Sequence, residues 1–386
     1  MRGKQEADGV MVDYLFIASK FNRYGGPNNH LLDLSNFLYT KSGKQLVLLT
    51  HSGVEESAFS REVRFPTLRT LRRMPHAVGN VQEIRHAILK FSPRKVFVNS
   101  NVNLAFQTYF ATHARLLAGY NIFQFDAKFS FNRNLVKTLY HNLLTCQYRL
   151  GPKILVKKIL AHTDLQKRFY MKVGIKPDKI AVIPHCVSLE RLHRALENGG
   201  KRENNDVPTV MFLGRLVKNK GIIELLEVYE QITRETEANL LIVGSGPLEG
   251  RVNEMKRLIE RENAKASISH VARSVPPELV HLMNNADIVV VPSYHEMFGL
   301  VALEAMALRK AVLATCFGGI SEVVTSEVDG ILVNPLNTKQ FRFRLEELIL
   351  DRSERVRLGN AAYQTVKKMY DVSVVAPKFV RFLDSS

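Results

Sequence analysis

"ADIVVVPSYHEMFGLVALEAMALRKAVLAT", Ala286 to Thr315, decides the fold class. Its first apolar run, Ile288 to Val291, is short, β-branched and stopped by Pro292, the pattern of a strand buried in a parallel sheet. A loop holding Glu296 follows, then a helix that begins near Gly299 and carries Glu304 in its second turn. A second apolar run, Ala311 to Ala314, comes directly after. Strand, loop, helix and strand in this order make a βα unit, and such units place their ligand loops at the carboxyl ends of strands. The two glutamates therefore sit on different elements. Their spacing alone is close to a chance event; their placement, beside the unpaired first-turn N–H groups of Phe298, Gly299 and Leu300, is what points to a substrate.

The same alternation runs through the chain. Val12 to Ala18, Leu46 to Thr50, Val96 to Asn99, Ile122 to Phe125, Ile159 to His162 and Ile180 to Pro184 read as strands. Segments of helical period lie between them, including Asn28 to Lys41, Asn80 to Phe91, Leu104 to Ala118 and Asp164 to Gly174. A polar stretch, "ALENGGKRENNDVP", Ala195 to Pro208, then interrupts the pattern as an interdomain connection does. Beyond it come strands Thr209 to Leu213, Leu240 to Val243, Ile288 to Val291, Ala311 to Ala314 and Ile331 to Val333. Helices Gly221 to Thr233, Leu248 to Glu262, Pro277 to Asn284 and Gly299 to Leu308 lie among them, and two terminal helices follow. The 386 residues thus divide into domains 1–195 and 208–370, a linker 196–207 and a last helix 371–386 that returns to the first domain. The class is α/β, two doubly wound Rossmann-like domains whose carboxyl edges face one central cleft.

Charge separates the halves. The first 200 residues hold 30 Lys and Arg against 13 Asp and Glu, and the remainder holds 24 of each, so the first half carries the whole net charge of +17. Between Glu83 and Asp164 the one acid is Asp126, among twelve bases. Such a surface attracts phosphate-rich partners. "RFPTLRTLRRMPHAVG", Arg64 to Gly79, interleaves arginine with leucine as segments that dock on anionic membranes do, each base near the surface adding on the order of 1 kcal/mol. A basic, fully soluble surface for an acidic or neutral acceptor has the same composition. No helix-turn-helix, zinc-finger spacing or aromatic RNA motif accompanies the charge, so no nucleic-acid partner is expected. No apolar run reaches the roughly 18 to 20 residues of a membrane span. Cys146, Cys186 and Cys316 are odd in number, far apart and without metal-type spacing, as reduced thiols in a cytoplasmic protein are.

Three further loops carry chemistry. Gly25 and Gly26 stand between the first strand and a helix, a strand–turn–helix arrangement that favours an anion; a plain tight turn uses the same dipeptide. "FLGRLVKNKG" places Arg215 and Lys220 just past a strand, where a guanidinium fork and an ammonium clamp two phosphates; solvated surface charge is the bland alternative. "IVGSGPLEG" spaces Gly244, Gly246 and Gly250 one residue too widely for the dinucleotide fingerprint and in the second βα unit, so it reads as a backbone approach loop near a ligand.

"GRLVKNKG", "GSGP", "PSYHEMFGLVALEAMA" and "FGGISEVV", in that order, resemble the donor domain of retaining glycosyltransferases of family 4, which have the GT-B fold. The resemblance covers residues 208–350, and extends loosely to the first half through Gly25-Gly26 and "KILAHTDLQKRFYMKVGIKPDKIAVIPH", Lys158 to His185. It implies transfer, with retention, of a sugar from a UDP- or GDP-sugar to a hydroxyl acceptor, a glycan or lipid-linked precursor at the cytoplasmic membrane face. A soluble enzyme with a small-molecule or protein acceptor, and a non-catalytic nucleotide-binding relative, are its alternatives. By the resemblance Arg215 and Lys220 hold the diphosphate, Glu304 the ribose hydroxyls and Glu296 the transferred sugar. The N–H groups of Phe298, Gly299, Leu300 and Val301 complete the contacts, and Gly26 meets the donor from across the cleft. Asp-x-Asp is absent from the sequence, and the resemblance implies no cofactor and no essential metal. Where many members have a histidine before an aspartate on the fourth strand of the first domain, this chain has Phe125 and Asp126; Asp126 is either a site residue or a helix cap or salt-bridge partner in a basic field.

Overall fold

The computed structural model describes residues 11–18, 26–50, 67–68, 78–100, 116–120, 156–172, 174–197, 206–272, 274 and 278–385. They divide into two compact units, one of Met1–Pro184 with Ala376–Ser386, the other of His185–Val375.

The first unit holds a seven-stranded parallel sheet of β1 (Tyr14–Ala18), β2 (Leu46–Thr50), β3 (Thr67–Leu68), β4 (Lys95–Ser100), β5 (Leu116–Tyr120), β6 (Val156–Ala161) and β7 (Ile180–Val182). Its strand order is β3-β2-β1-β4-β5-β6-β7. Helices α1 (Gly26–Lys41), α2 (Val78–Phe91) and α3 (Asp164–Lys172) alternate with these strands. Phe16 and Phe97 pack edge to face at 5.4 Å, and Phe379 joins Phe97 at 5.1 Å, which is why the end of the chain belongs to this unit. Tyr14 fixes the same helix end by donating its hydroxyl to Asp384 Oδ1 at 2.8 Å.

The second unit holds six parallel strands, β8 (Thr209–Leu213), β9 (Ala238–Val243), β10 (Ala266–Val271), β11 (Ile288–Val291), β12 (Ala311–Thr315) and β13 (Ile331–Val333), in the order β10-β9-β8-β11-β12-β13. On one face lie α5 (Ile222–Thr233), α6 (Glu249–Glu262) and α9 (Thr338–Leu350). Covering the other are α4 (Leu189–Glu197), α7 (Glu278–Asn285), α8 (Leu300–Ala307) and α10 (Arg352–Thr365). A five-residue π turn, Val366–Tyr370, then leads to α11 (Val372–Asp384). The sheet is buried on both sides, so all four residues of β11 are inaccessible, and burial of each valine or isoleucine contributes about 1.5–3 kcal/mol. Helix α5 buries Ile222, Leu225, Leu226, Tyr229 and Ile232, the stripe its period requires.

Several expectations are corrected. The change of unit falls at Pro184/His185 rather than in 196–207, because Leu189 and Leu192 of α4 enter the core of the second unit. Leu116 to Ala118, expected as the end of a helix over Leu104 to Ala118, lie instead in strand β5, whose Leu117 pairs Phe97 on one side and Lys158 on the other; the rest of that expected helix lies outside the described residues. A short apolar run fits either element, and here sheet pairing decides. Strand β10 escaped the sequence reading because it is an edge strand of polar alternation in which Ile268 is the one fully buried residue. Three helices, not two, follow β13. The strand expected at Ile122 to Phe125, together with Asp126, Gly25 and nearly all of Arg64 to Gly79, lies outside the described residues. Among the described residues no helix is long and apolar enough to cross a membrane.

Candidate active site

In both sheets the strand order reverses between two neighbouring strands, β1 with β4 and β8 with β11, and a doubly wound sheet binds ligands at the carboxyl ends of that pair. In the second unit the loops leaving β8 and β11 carry Arg215, Lys220 and Glu296. Residues 76 apart in sequence thus become neighbours: Lys220 Nζ lies 2.6 Å from Glu296 Oε2, and Ser293 donates its hydroxyl to the same oxygen at 3.2 Å. Lys220 is 32% exposed and Glu296 17%, so the pair is accessible from one side and partly shielded from water. Arg215 is exposed on the same loop as Lys220 and pairs with no carboxylate among the described residues.

Glycines hold these loops in place. Gly221 ends the Lys220 turn at φ +72°, and a Cβ there would lie 1.9 Å from the carbonyl oxygen of Pro292. The two loops are also latched by Tyr294, whose N–H donates to Asn219 O at 2.9 Å and whose hydroxyl donates to the Glu224 carboxylate. Burial, reinforced by that carboxylate, pushes the Tyr294 hydroxyl up to about 12. On the other side, the Glu296 N–H donates to Phe317 O at 3.0 Å and its carbonyl accepts from the Ile320 N–H at 3.3 Å. Gly318, at φ +105°, permits that contact, since a Cβ there would lie 2.1 Å from Glu296 O.

Gly299 caps α8 at φ +83° with no side-chain hydrogen bond, leaving the first-turn amides of Leu300 and Val301 beyond the reach of any intrahelical carbonyl. Those amides and the helix dipole favour an anion. Glu304, half-buried, lies one turn beyond Leu300 on the same face of α8. The Phe298 side chain is core, its ring edge to face with His185 at 4.9 Å and with Tyr370 at 6.0 Å. Gly26 is the first residue of α1, beyond the carboxyl end of β1.

The glycines of "GSGP" have a different cause from the one expected. A Cβ on Gly244 would lie 1.8 Å from Gly214 O and one on Gly246 2.6 Å from Leu216 O, so these positions let the loops after β8 and β9 touch each other. Leu216 N–H donates to Ser245 O at 3.1 Å across that contact. Around Gly250 nothing lies within 4 Å. His270, on the strand the sequence reading missed, places Nε2 2.9 Å from Gly244 O and steadies the same turn. Ser293 and Gly318 were also missed as site residues. Ser293 directly follows the strand-stopping Pro292, a signal in plain view; Gly318 shows its role only when Glu296 is seen against it.

Residues 195–365 match the family model described as "Glycosyl transferases group 1". The second unit is a group 1 glycosyl transferase domain. Similar proteins include the D-inositol 3-phosphate glycosyltransferase of Corynebacterium jeikeium, 33% identical over 47% of this chain and 46% of that one. Another is the N,N'-diacetylbacillosaminyl-diphospho-undecaprenol alpha-1,3-N-acetylgalactosaminyltransferase of Campylobacter jejuni, 29% identical over 70% of this chain and 69% of that one. The chain spans about half the length of several curated relatives it matches, 44% and 46% for two of them. Among solved structures, Anabaena HepE in complex with UDP and glucose has a TM-score of 0.73 at 16% identity, covering 97% of this chain and all of that one. WaaG, a glycosyltransferase of lipopolysaccharide biosynthesis, has a TM-score of 0.69 at 16% identity over 97% of this chain. The fold of the chain is thus GT-B.

Proposed function

We propose that this protein transfers a sugar from a nucleoside diphosphate sugar, with UDP as the nucleotide, to a hydroxyl of a glycan or lipid-linked acceptor, with retention at the anomeric carbon. The observation that carries the reading is the meeting of Lys220 and Glu296 at the reversal point of the sheet in a group 1 domain. The glycosidic bond to the diphosphate breaks, the acceptor oxygen bonds to the same carbon from the same face, and the acceptor proton leaves on a diphosphate oxygen. Negative charge grows on the leaving phosphate, where fixed cations and amides stabilise the transition state more than the ground state. Lys220, Arg215 and the first-turn amides of α8 supply them, Glu304 binds the ribose, and Glu296 accepts from the sugar. With positive charge supplied by side chains, no divalent ion is needed.

UDP is chosen because HepE, of like fold, binds it, and the acceptor class because the Campylobacter relative is named for a diphospho-undecaprenol substrate. A lipid-linked acceptor and the basic first half suit attachment to an anionic membrane at the cytoplasmic face. Release of UDP from a panel of UDP-sugars, with GDP- and ADP-sugars as comparison arms, tests the reading. Lys220→Ala is expected to lower turnover at least 10²-fold and Glu304→Ala to raise KM by about tenfold. Turnover unchanged in Lys220→Ala would sink the assignment.

A further inference from the structure

The carboxylate that the donor-site reading gives to the sugar is the same one that holds the phosphate-binding lysine. Among the described residues the bonds to the Glu296 carboxylate all end on Oε2, from Lys220 Nζ at 2.6 Å and Ser293 Oγ at 3.2 Å, so Oε1 is the oxygen left to accept from a ligand. An ammonium has three donors, and Lys220 can bind a phosphate oxygen without releasing Glu296. The charges, however, do not cooperate. A phosphate on that ammonium stands within roughly 5 Å of the carboxylate, in a site only partly open to water, and the two anions repel.

We infer that Glu296 opposes retention of the nucleoside diphosphate product, repelling it across the Lys220 they share, and so sets the site to hold donor in preference to product. The inference rests on the donor-site reading. With the donor bound, a sugar hydroxyl donating to Oε1 offsets the repulsion, because a hydrogen bond to a charged acceptor is among the stronger ones. Once the sugar has left, that bond is gone and the repulsion stands uncompensated. One residue thereby contributes to sugar binding before the reaction and to product release after it. The opposition acts at the phosphate and is independent of the base.

Calorimetric titration with UDP and with inorganic pyrophosphate tests this on the wild type, Glu296→Gln and Lys220→Ala, each checked for folding by circular dichroism. Glu296→Gln keeps the shape and removes the charge, and is expected to tighten both ligands about two- to fivefold, the range of a partly exposed ion pair. Lys220→Ala is expected to abolish the binding of pyrophosphate. If Lys220→Ala weakens binding while Glu296→Gln leaves it unchanged or weaker, the inference is overturned and the donor site stands. If Lys220→Ala binds both ligands as the wild type does, or the wild type binds neither, the donor-site reading fails and the inference with it.

Discussion

Gly318→Ala is the sharpest test of how the site is held. Gly318 has φ 105° and ψ −167°, a region essentially restricted to glycine, and placing alanine there costs on the order of 1–3 kcal/mol in backbone strain. Its Cβ would also arrive 2.1 Å from the carbonyl oxygen of Glu296, a backbone atom with no rotamer to escape into. That carbonyl must retreat by about 1 Å, weakening the hydrogen bond it accepts from Ile320 N–H, at a further cost of about 1 kcal/mol. Together the loss is about 2–4 kcal/mol, which lowers the melting temperature of a unit this size by roughly 5–15 °C. Because the displaced residue is Glu296, a shift of that length is also expected to reduce sugar transfer by about 10²-fold in the protein that remains folded. Thermal denaturation followed by circular dichroism reads the first effect, and initial rates well below the melting range read the second. Gly250→Ala is the internal control: it lies in α6 with nothing within 4 Å, so alanine is expected to add about 0.4–1 kcal/mol of stability. A Gly318→Ala protein that melts with the wild type and retains full turnover would refute the claim that this contact positions Glu296.

Two further outcomes concern stability. Tyr229 donates its hydroxyl to Ala238 O at 2.6 Å and accepts from Ser267 N at 3.1 Å, tying α5 to β9 and β10; Tyr229→Phe removes both bonds and is expected to lower unfolding free energy by about 1–3 kcal/mol, read as a shift of the urea midpoint. In the first unit, burial lowers His162 from its ordinary 6.5 to about 4, against the smaller opposing effect of its bond to Ile183 O. The unfolded chain therefore takes up this proton first. The stability of the neutral ring is fully present above about pH 6.5 and is lost as pH falls toward 4, by up to roughly 3 kcal/mol. Urea midpoints between pH 7 and pH 4.5 should fall more steeply in the wild type than in His162→Asn; equal slopes would contradict the assignment.

The legibility of this chain follows the range of the interactions involved. Runs such as Thr209 to Leu213 and Ile288 to Val291 announce themselves because β-branched residues and terminating Gly or Pro act locally, and both strands have the bounds their sequence implies. Strands β5 and β10 do not, because one ends a helix-like apolar run and the other is a polar edge; each is held by its neighbours rather than by its own pattern. Among site residues, Arg215, Lys220, Glu296 and Glu304 were all placed on their elements by the sequence. Ser293 was overlooked, although the sequence put it beside Pro292.

By itself, then, the sequence determined a repeated parallel α/β arrangement, the strand ends from which the functional loops leave, and the charge difference between the halves. Tertiary structure decided which of those loops meet. Lys220 and Glu296 touch because β8 and β11, separated by two strands in the chain, are adjacent where the sheet reverses. Gly221, Gly244, Gly246 and Gly318 proved to be spaces for neighbouring carbonyls, since a glycine's need for room is written in the atoms opposite it and not in its own position in the chain.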